Sequence, residues 1–154
     1  MKTLCSNVLS ALKGKTLVTA ESCTGGGIGA ALTAVPGSSA VYKGGIISYT
    51  NAVKEKLLQV DPMILEREGA VSASVAEAMA EGARRVLEAD VAVSVTGLAG
   101  PGGDEYGNPV GTVYIGYSDT RHTLSRHFIF SGDREQVRLR SVEAALKLII
   151  EEME

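Results

Sequence analysis

The sequence predicts an α/β domain in which a mixed sheet carries helices on both faces. Three observations predict it. Segments with helical apolar spacing alternate along the chain with short β-type runs. The last two β-type runs face each other across the polar turn Ser118-Asp119-Thr120, an antiparallel pair that makes an otherwise mainly parallel sheet mixed. The length, 154 residues, suits one domain, here 1–154, with a single core.

The elements follow in order. Leu4, Val8, Leu9 and Leu12 recur at helical spacing up to Gly14. Thr16 to Ala20 is a short strand, and the glycine-rich turn after it opens a helix running to about Val35. Pro36-Gly-Ser-Ser breaks that helix. Gly45 to Thr50 reads as a second strand, and Asn51 suits the N-cap of the helix carrying Lys54, Leu57 and Leu58. Asp61-Pro62 starts a turn and a short helix. Ser74 to Ala89 has the periodicity of a longer helix with Val75, Ala78, Met79, Ala83 and Val86 inward. Asp90 to Thr96 is a buried strand. Gly111 to Tyr117 and Arg121 to Phe130 form the hairpin, and a last helix from about Asp133 carries Val137, Val142, Ala145, Leu146, Ile149 and Ile150. Its apolar face is a candidate for self-association.

Composition removes several function classes. The net charge of −3 carries no electrostatic footprint for nucleic acid, although fifteen basic residues can still line an anion pocket. The N-terminus lacks a signal-peptide core, and no apolar run reaches membrane-spanning length, so a cytoplasmic protein is expected. Two cysteines, Cys5 and Cys23, make no disulfide framework and no metal-ligand spacing. His122 and His127 are five apart in one strand, which sends them to opposite faces. Neither a cofactor nor a metal site is expected.

Four segments carry chemistry. Glu21-Ser22-Cys23-Thr24-Gly25-Gly26-Gly27 links a strand to a helix. Its amides and hydroxyls can converge on an anion, although the same residues suit a tight turn with glycines for packing. Ser39, in Pro36-Gly-Ser-Ser, needs a base to act as a nucleophile. With no histidine placed for a triad, Lys54 can serve if burial lowers its pKa. Spacing alone does not bring the two together. Thr96, Gly97 and Gly100 begin a long glycine-rich loop where α/β sheets usually bind ligands. Arg134 stands in the first turn of the last helix, where acidic residues are preferred, and Arg138 shares its face at i,i+4.

Taken in order, Ala20-Glu-Ser-Cys-Thr-Gly-Gly, Pro36-Gly-Ser-Ser, Gly45-Ile-Ile-Ser-Tyr-Thr-Asn, Gly69-Ala-Val-Ser, Thr96-Gly-Leu-Ala-Gly-Pro-Gly-Gly, Pro109-Val-Gly-Thr-Val and Phe130-Ser-Gly-Asp-Arg resemble the CinA C-terminal domain family over nearly the whole chain. The resemblance implies a three-layer α/β/α fold, commonly a homodimer. It also implies metal-free hydrolysis of nicotinamide mononucleotide to nicotinic acid mononucleotide and ammonia, an amidohydrolase activity. By resemblance Ser39 matches the family's nucleophile, Lys54 its general base and Tyr49 the tyrosine beside them. A second assignment makes Ser22 the nucleophile. Arg134 and Arg138 match family positions in the Ser-Gly-Asp-Arg segment and just after it. Glu21, Ser22, Thr24, Gly25, Gly26, Thr96, Gly97, Gly100, Arg134 and Arg138 are the expected substrate-binding set, with amides near Gly37 to Ser39 or in the Glu21 to Gly27 turn holding the oxyanion. The N-terminal nucleotide-pyrophosphatase domain of full-length CinA proteins is not in this chain. The other readings left open are a non-catalytic nucleotide-binding or protein-interaction module, and an amidase for a different amide on a related nucleotide or pterin-like compound.

Overall fold

A computed structural model describes residues 1–154. Five strands form one sheet in the order β2-β1-β3-β4-β5: β1 (Leu17–Glu21), β2 (Tyr42–Ile47), β3 (Val91–Gly97), β4 (Thr112–Ser118) and β5 (Thr123–Ile129). β1 pairs in parallel with both β2 and β3, whereas β4 is antiparallel to both β3 and β5. Four of the five strands therefore point the same way, and the sheet is mixed through β4 alone. Six helices cover it: α1 (Lys2–Ala11), α2 (Gly27–Thr33), α3 (Asn51–Leu58), α4 (Pro62–Glu68), α5 (Ala73–Val86) and α6 (Arg134–Met153).

The two-residue period of the strands sorts the core into two layers. Leu17, Val91, Val93 and Val95 face α1, α2 and α6, packing with Val8, Ile28, Val137, Leu146 and Ile149. Val18, Ala20 and Ala92 face the other side, against Leu58, Leu65, Val75, Met79 and Ala83 of α3, α4 and α5. β1 and β3 are thus buried on both faces, as central strands of a layered α/β sheet are.

The expected elements form, with shifted edges. β2 begins at Tyr42, three residues before the expected start, because Gly44 and Gly45 pair with β1 despite lacking side chains. The cap of α3 is Thr50, whose hydroxyl accepts from the Val53 amide at 3.4 Å; Asn51 is the first helical residue. Val86, expected inward, is 43% exposed at the last position of α5, and Ala78 is only half-buried. The apolar face of α6 packs into this chain's own core, leaving Leu139 as its exposed large apolar residue, so that face does not supply a free association surface. No helix is long and apolar enough to cross a membrane.

Helices α3 and α5 approach closely at Gly82, where a Cβ would run into the Leu58 carbonyl. Gly82→Ala is expected to destabilise the domain by about 1–3 kcal/mol through overpacking, although alanine favours the helix intrinsically. The urea midpoint measures it; an unchanged midpoint would mean that the two helices slide apart freely.

Candidate active site

The connections leaving neighbouring strands β1 and β2 lie on opposite faces of the sheet: β1 runs into α2, β2 into α3. Such a divergence opens a crevice beyond the carboxyl ends of the strands. A cleft of about 510 Å³ lies there. Ser22 and Cys23 enter it from the end of β1, Tyr49, Thr50, Asn51 and Lys54 from beyond the end of β2, Ala70 and Val71 from the turn before α5, Thr96 to Gly102 from the end of β3, and Arg134 from the start of α6. No carboxylate lines it, and its two cations are Lys54 and Arg134.

Lys54 sits in the first half of α3, on the inner face it shares with Leu58 four residues on, and is 1% exposed. Its Nζ lies 2.8 Å from the Ser48 carbonyl, 3.3 Å from the Tyr49 carbonyl and 3.0 Å from Ser22 Oγ. Burial is the leading cause that pulls this amine down from 10.5 to about 8. A neutral amine has two N–H donors and one lone pair. Carbonyls can only accept, so donation to Ser48 and Tyr49 leaves the lone pair to the Ser22 hydroxyl. The two carbonyls thereby aim the base.

Ser22 follows the last residue of β1 and is itself buried; its amide donates to the Val95 carbonyl of β3 at 2.9 Å. The turn beyond it passes through Gly25 and Gly26 at φ +58° and +102°, left-handed conformations that other residues rarely adopt. Helix α2 starts without a cap from its own N-terminus. Glu21 caps it instead, accepting from the amides of Ile28 and Gly29 at 2.8 and 3.0 Å and from the Thr24 hydroxyl at 2.6 Å. The amides of Cys23, Ala99 and Gly100, all lining the cleft, have no backbone acceptor. The Cys23 thiol is pushed up to about 11, chiefly by burial, so it stays protonated beside Ser22.

The expected residues separate into two groups. Ser22, Tyr49, Lys54, Thr96, Gly97, Gly100 and Arg134 meet at the cleft. The pairing expected of Ser39 with Lys54 does not form. Ser39 is exposed in the 3-10 turn Ser38–Ala40, before β2 begins, whereas Lys54 follows the end of β2. A six-residue strand puts roughly 20 Å between those two edges. Glu21 and Thr24, expected to bind substrate, bond each other and are buried. Gly25 lies against Arg138 and Gly26 against Ile47. Arg138, also expected at the substrate, turns to the back of the Ser22 turn. Its Nε donates to the Cys23 carbonyl at 3.0 Å and its Nη2 to the Thr24 carbonyl at 3.2 Å.

Arg134 reaches across the mouth instead. It donates to the Gly100 carbonyl at 2.7 Å and to the Tyr49 hydroxyl at 3.2 Å, and both it and Tyr49 are exposed. The Thr96 hydroxyl donates to the Ala70 carbonyl at 2.8 Å, tying the end of β3 to the turn before α5. Asn51, Ala70 and Val71 also line the cleft, and none of them is among the residues expected there. For Asn51 the strand-helix junction was a usable signal, and for Ala70 and Val71 the Gly69-Ala-Val-Ser motif was one, although only tertiary contact brings that motif to the cleft.

Comparison with known proteins agrees with this architecture. The family model of the CinA C-terminal domain matches residues 1–153. A CinA-like protein of Synechococcus sp. (strain RCC307) is 52% identical over 150 residues, covering 95% of this chain and 36% of the relative. One from Thermosynechococcus vestitus is 52% identical over 138 residues, covering 88% of this chain and 33% of the relative. The chain thus spans about a third of the length of these curated relatives. Among solved structures, a CinA superfamily protein of Klebsiella pneumoniae 700603 superposes with a TM-score of 0.96 at 34% identity, covering 99% of this chain and 96% of the other. A competence/damage inducible protein, CihA, of Agrobacterium tumefaciens gives 0.94 at 38%, covering 97% and 93%. With the family model covering nearly every residue, the chain belongs to the CinA C-terminal domain family.

Proposed function

We propose that this domain hydrolyses the carboxamide of nicotinamide mononucleotide, giving nicotinic acid mononucleotide and ammonia, with Ser22 as nucleophile and Lys54 as general base. The observation that carries the reading is the buried Lys54 amine 3.0 Å from Ser22 Oγ. A hydroxyl is a weak nucleophile until a base takes its proton, and an amine near pKa 8 is largely available as that base at mildly alkaline pH.

Lys54 takes the Ser22 proton as Oγ attacks the carboxamide carbon. The oxyanion is met by the Cys23 amide, the group next to the nucleophile, and by an amide of Ala99 or Gly100. One such donor is typically worth about 3 kcal/mol in the barrier. The protonated Lys54 passes its proton to the departing nitrogen, the C–N bond breaks, and ammonia leaves an ester on Ser22. Water then gives a proton to Lys54 and attacks the ester carbon. Collapse returns that proton to Ser22 Oγ and frees the carboxylic acid.

Arg134 supports the choice of an anionic substrate. Two of its N–H groups are engaged, leaving others of its five donors for a phosphate at the mouth. Arg134→Ala should raise KM for the mononucleotide about tenfold or more, as losing a hydrogen bond worth ~1.5–3 kcal/mol to a charged group does. The unphosphorylated nucleoside should be turned over by wild type and variant alike. Equal loss on both compounds would remove the phosphate contact from the reading.

The direct test is ammonia release from nicotinamide mononucleotide by the wild-type chain. Release supports the amidase. No release, together with retained nucleotide binding, would favour a non-catalytic binding module.

A further inference from the structure

Resting on the amidase reading above, we infer that Arg138 is a positioning residue, one jaw of a clamp that presents Ser22 and the Cys23 amide to the substrate. The turn from Ser22 to Gly27 has a stability problem of its own making. Gly25 and Gly26 give it the left-handed conformations it needs, and glycines leave peptide planes free to rotate. The helix it starts is only seven residues long. A nucleophile on such a turn would wander unless both its donors and its acceptors were held from outside.

Both are held, from opposite sides. Glu21, on β1, accepts the donors: the Thr24 hydroxyl and the Ile28 and Gly29 amides. Arg138, four residues along α6 from the cleft residue Arg134, donates to the acceptors, the carbonyls of Cys23 and Thr24. A planar guanidinium suits two adjacent carbonyls, since its donors diverge in a fixed fork. Gly25 lies directly beside the fork, where a Cβ would stand 3.5 Å from Nη2, an ordinary contact, so glycine is needed at 25 for its φ of +58° and not for space. With their carbonyls held, the Cys23–Thr24 and Thr24–Gly25 peptide planes are fixed, and the first of them adjoins the Ser22–Cys23 peptide that carries the Cys23 amide.

Arg138 does this without meeting substrate. It lines a separate cavity of about 240 Å³, with Thr24, Gly27, Glu135 and Val142, that shares no residue with the cleft. Its effect therefore belongs in kcat and not in KM. It is also exposed, so its removal leaves the core intact and an opening through which a small ion can enter.

The experiment compares wild type, Arg138→Ala and Arg138→Lys in two ways. Steady-state ammonia release should show kcat lowered about 10- to 100-fold in Arg138→Ala, the scale of a reacting group displaced by a fraction of an ångström to one ångström. KM should stay within about twofold, since uniform substrate binding is untouched. Added guanidinium chloride, against a sodium chloride control, should restore part of the lost kcat. Arg138→Lys, a point charge that cannot span both carbonyls, should fall between wild type and alanine. The second readout needs no activity: amide hydrogen exchange at Gly25 and Gly27, which donate to the Ser22 and Thr24 carbonyls at 3.0 Å, should quicken in Arg138→Ala while β1 and β3 stay protected. A raised KM with unchanged kcat would overturn the proposal and return Arg138 to the substrate. Unchanged exchange at both glycines would overturn it too. A wild-type chain that releases no ammonia sinks the amidase reading alone, and exchange then decides whether the clamp exists.

Discussion

Ser22→Ala is expected to lose ammonia release by on the order of 10⁴-fold in kcat, whereas Ser39→Ala keeps the wild-type rate. The contrast follows from where the buried base points. Lys54 has one lone pair left after its two carbonyl contacts, and the hydroxyl 3.0 Å away belongs to Ser22. Ser39 stands before the amino end of β2, the end opposite the cleft, and is exposed to water. Removing a nucleophile takes away the covalent route altogether, leaving only what binding and the oxyanion donors contribute. Removing a surface serine costs neither route nor fold. Single-turnover measurements on both variants, with circular dichroism to verify folding, separate the outcomes. A Ser22→Ala enzyme that still releases ammonia at the wild-type rate would falsify the dyad.

Lys54→Ala comes next, with an expected loss of about 10²–10⁴-fold, the usual contribution of a positioned base. The pH profile carries the finer test. Only the neutral amine can take the serine proton, and burial holds the amine at about 8. Below that value the amine is protonated, so kcat/KM should climb about tenfold per pH unit and then level off above about 8. An undisturbed lysine would keep climbing until about 10.4. Lys54→Arg should be as inactive as alanine at every pH, because a guanidinium stays charged and cannot act as the base. A flat profile between pH 6 and 9 would reject Lys54 as the base, whatever the effect of its removal.

Much of the fold was legible because it is written in local periodicity. The alternation of helix and strand, the hairpin around Asp119 and the start of α6 at Asp133 depend on neighbours within a few residues; at that start the structure adds a capping box between Asp133 and Gln136. Edges were read less well where a tertiary partner overrides propensity. Gly44 and Gly45 join β2 because the neighbouring strand supplies hydrogen bonds, not because glycine favours strands. Val86 was placed inward by spacing, yet it falls at the end of α5, where nothing covers it.

The site was legible in its ingredients and not in its partnerships. Lys54, Ser22, Thr96 and Arg134 were all singled out as residues of the right chemistry, and all reach one cleft. Arg134 and Arg138 look equivalent at i,i+4, yet one turns to the cleft mouth and the other to two backbone carbonyls behind the nucleophile turn. Glu21 and Thr24 read as ligands for a substrate because they are polar and near glycines. In the fold they satisfy each other, since buried polar groups must find partners.

By itself the sequence determined the layered α/β class, its order of elements and the kinds of groups available for catalysis. These follow from hydrophobic burial and local hydrogen bonding, which act over a few residues. Which serine the lysine meets was decided only by the tertiary structure. Parallel pairing of β1 with β2 brings Ser22 and Lys54, 32 positions apart, to the carboxyl ends of the strands, and the length of β2 separates Ser39 at its amino end. Strand direction and pairing order are long-range choices, and a serine's neighbours in the chain do not record them.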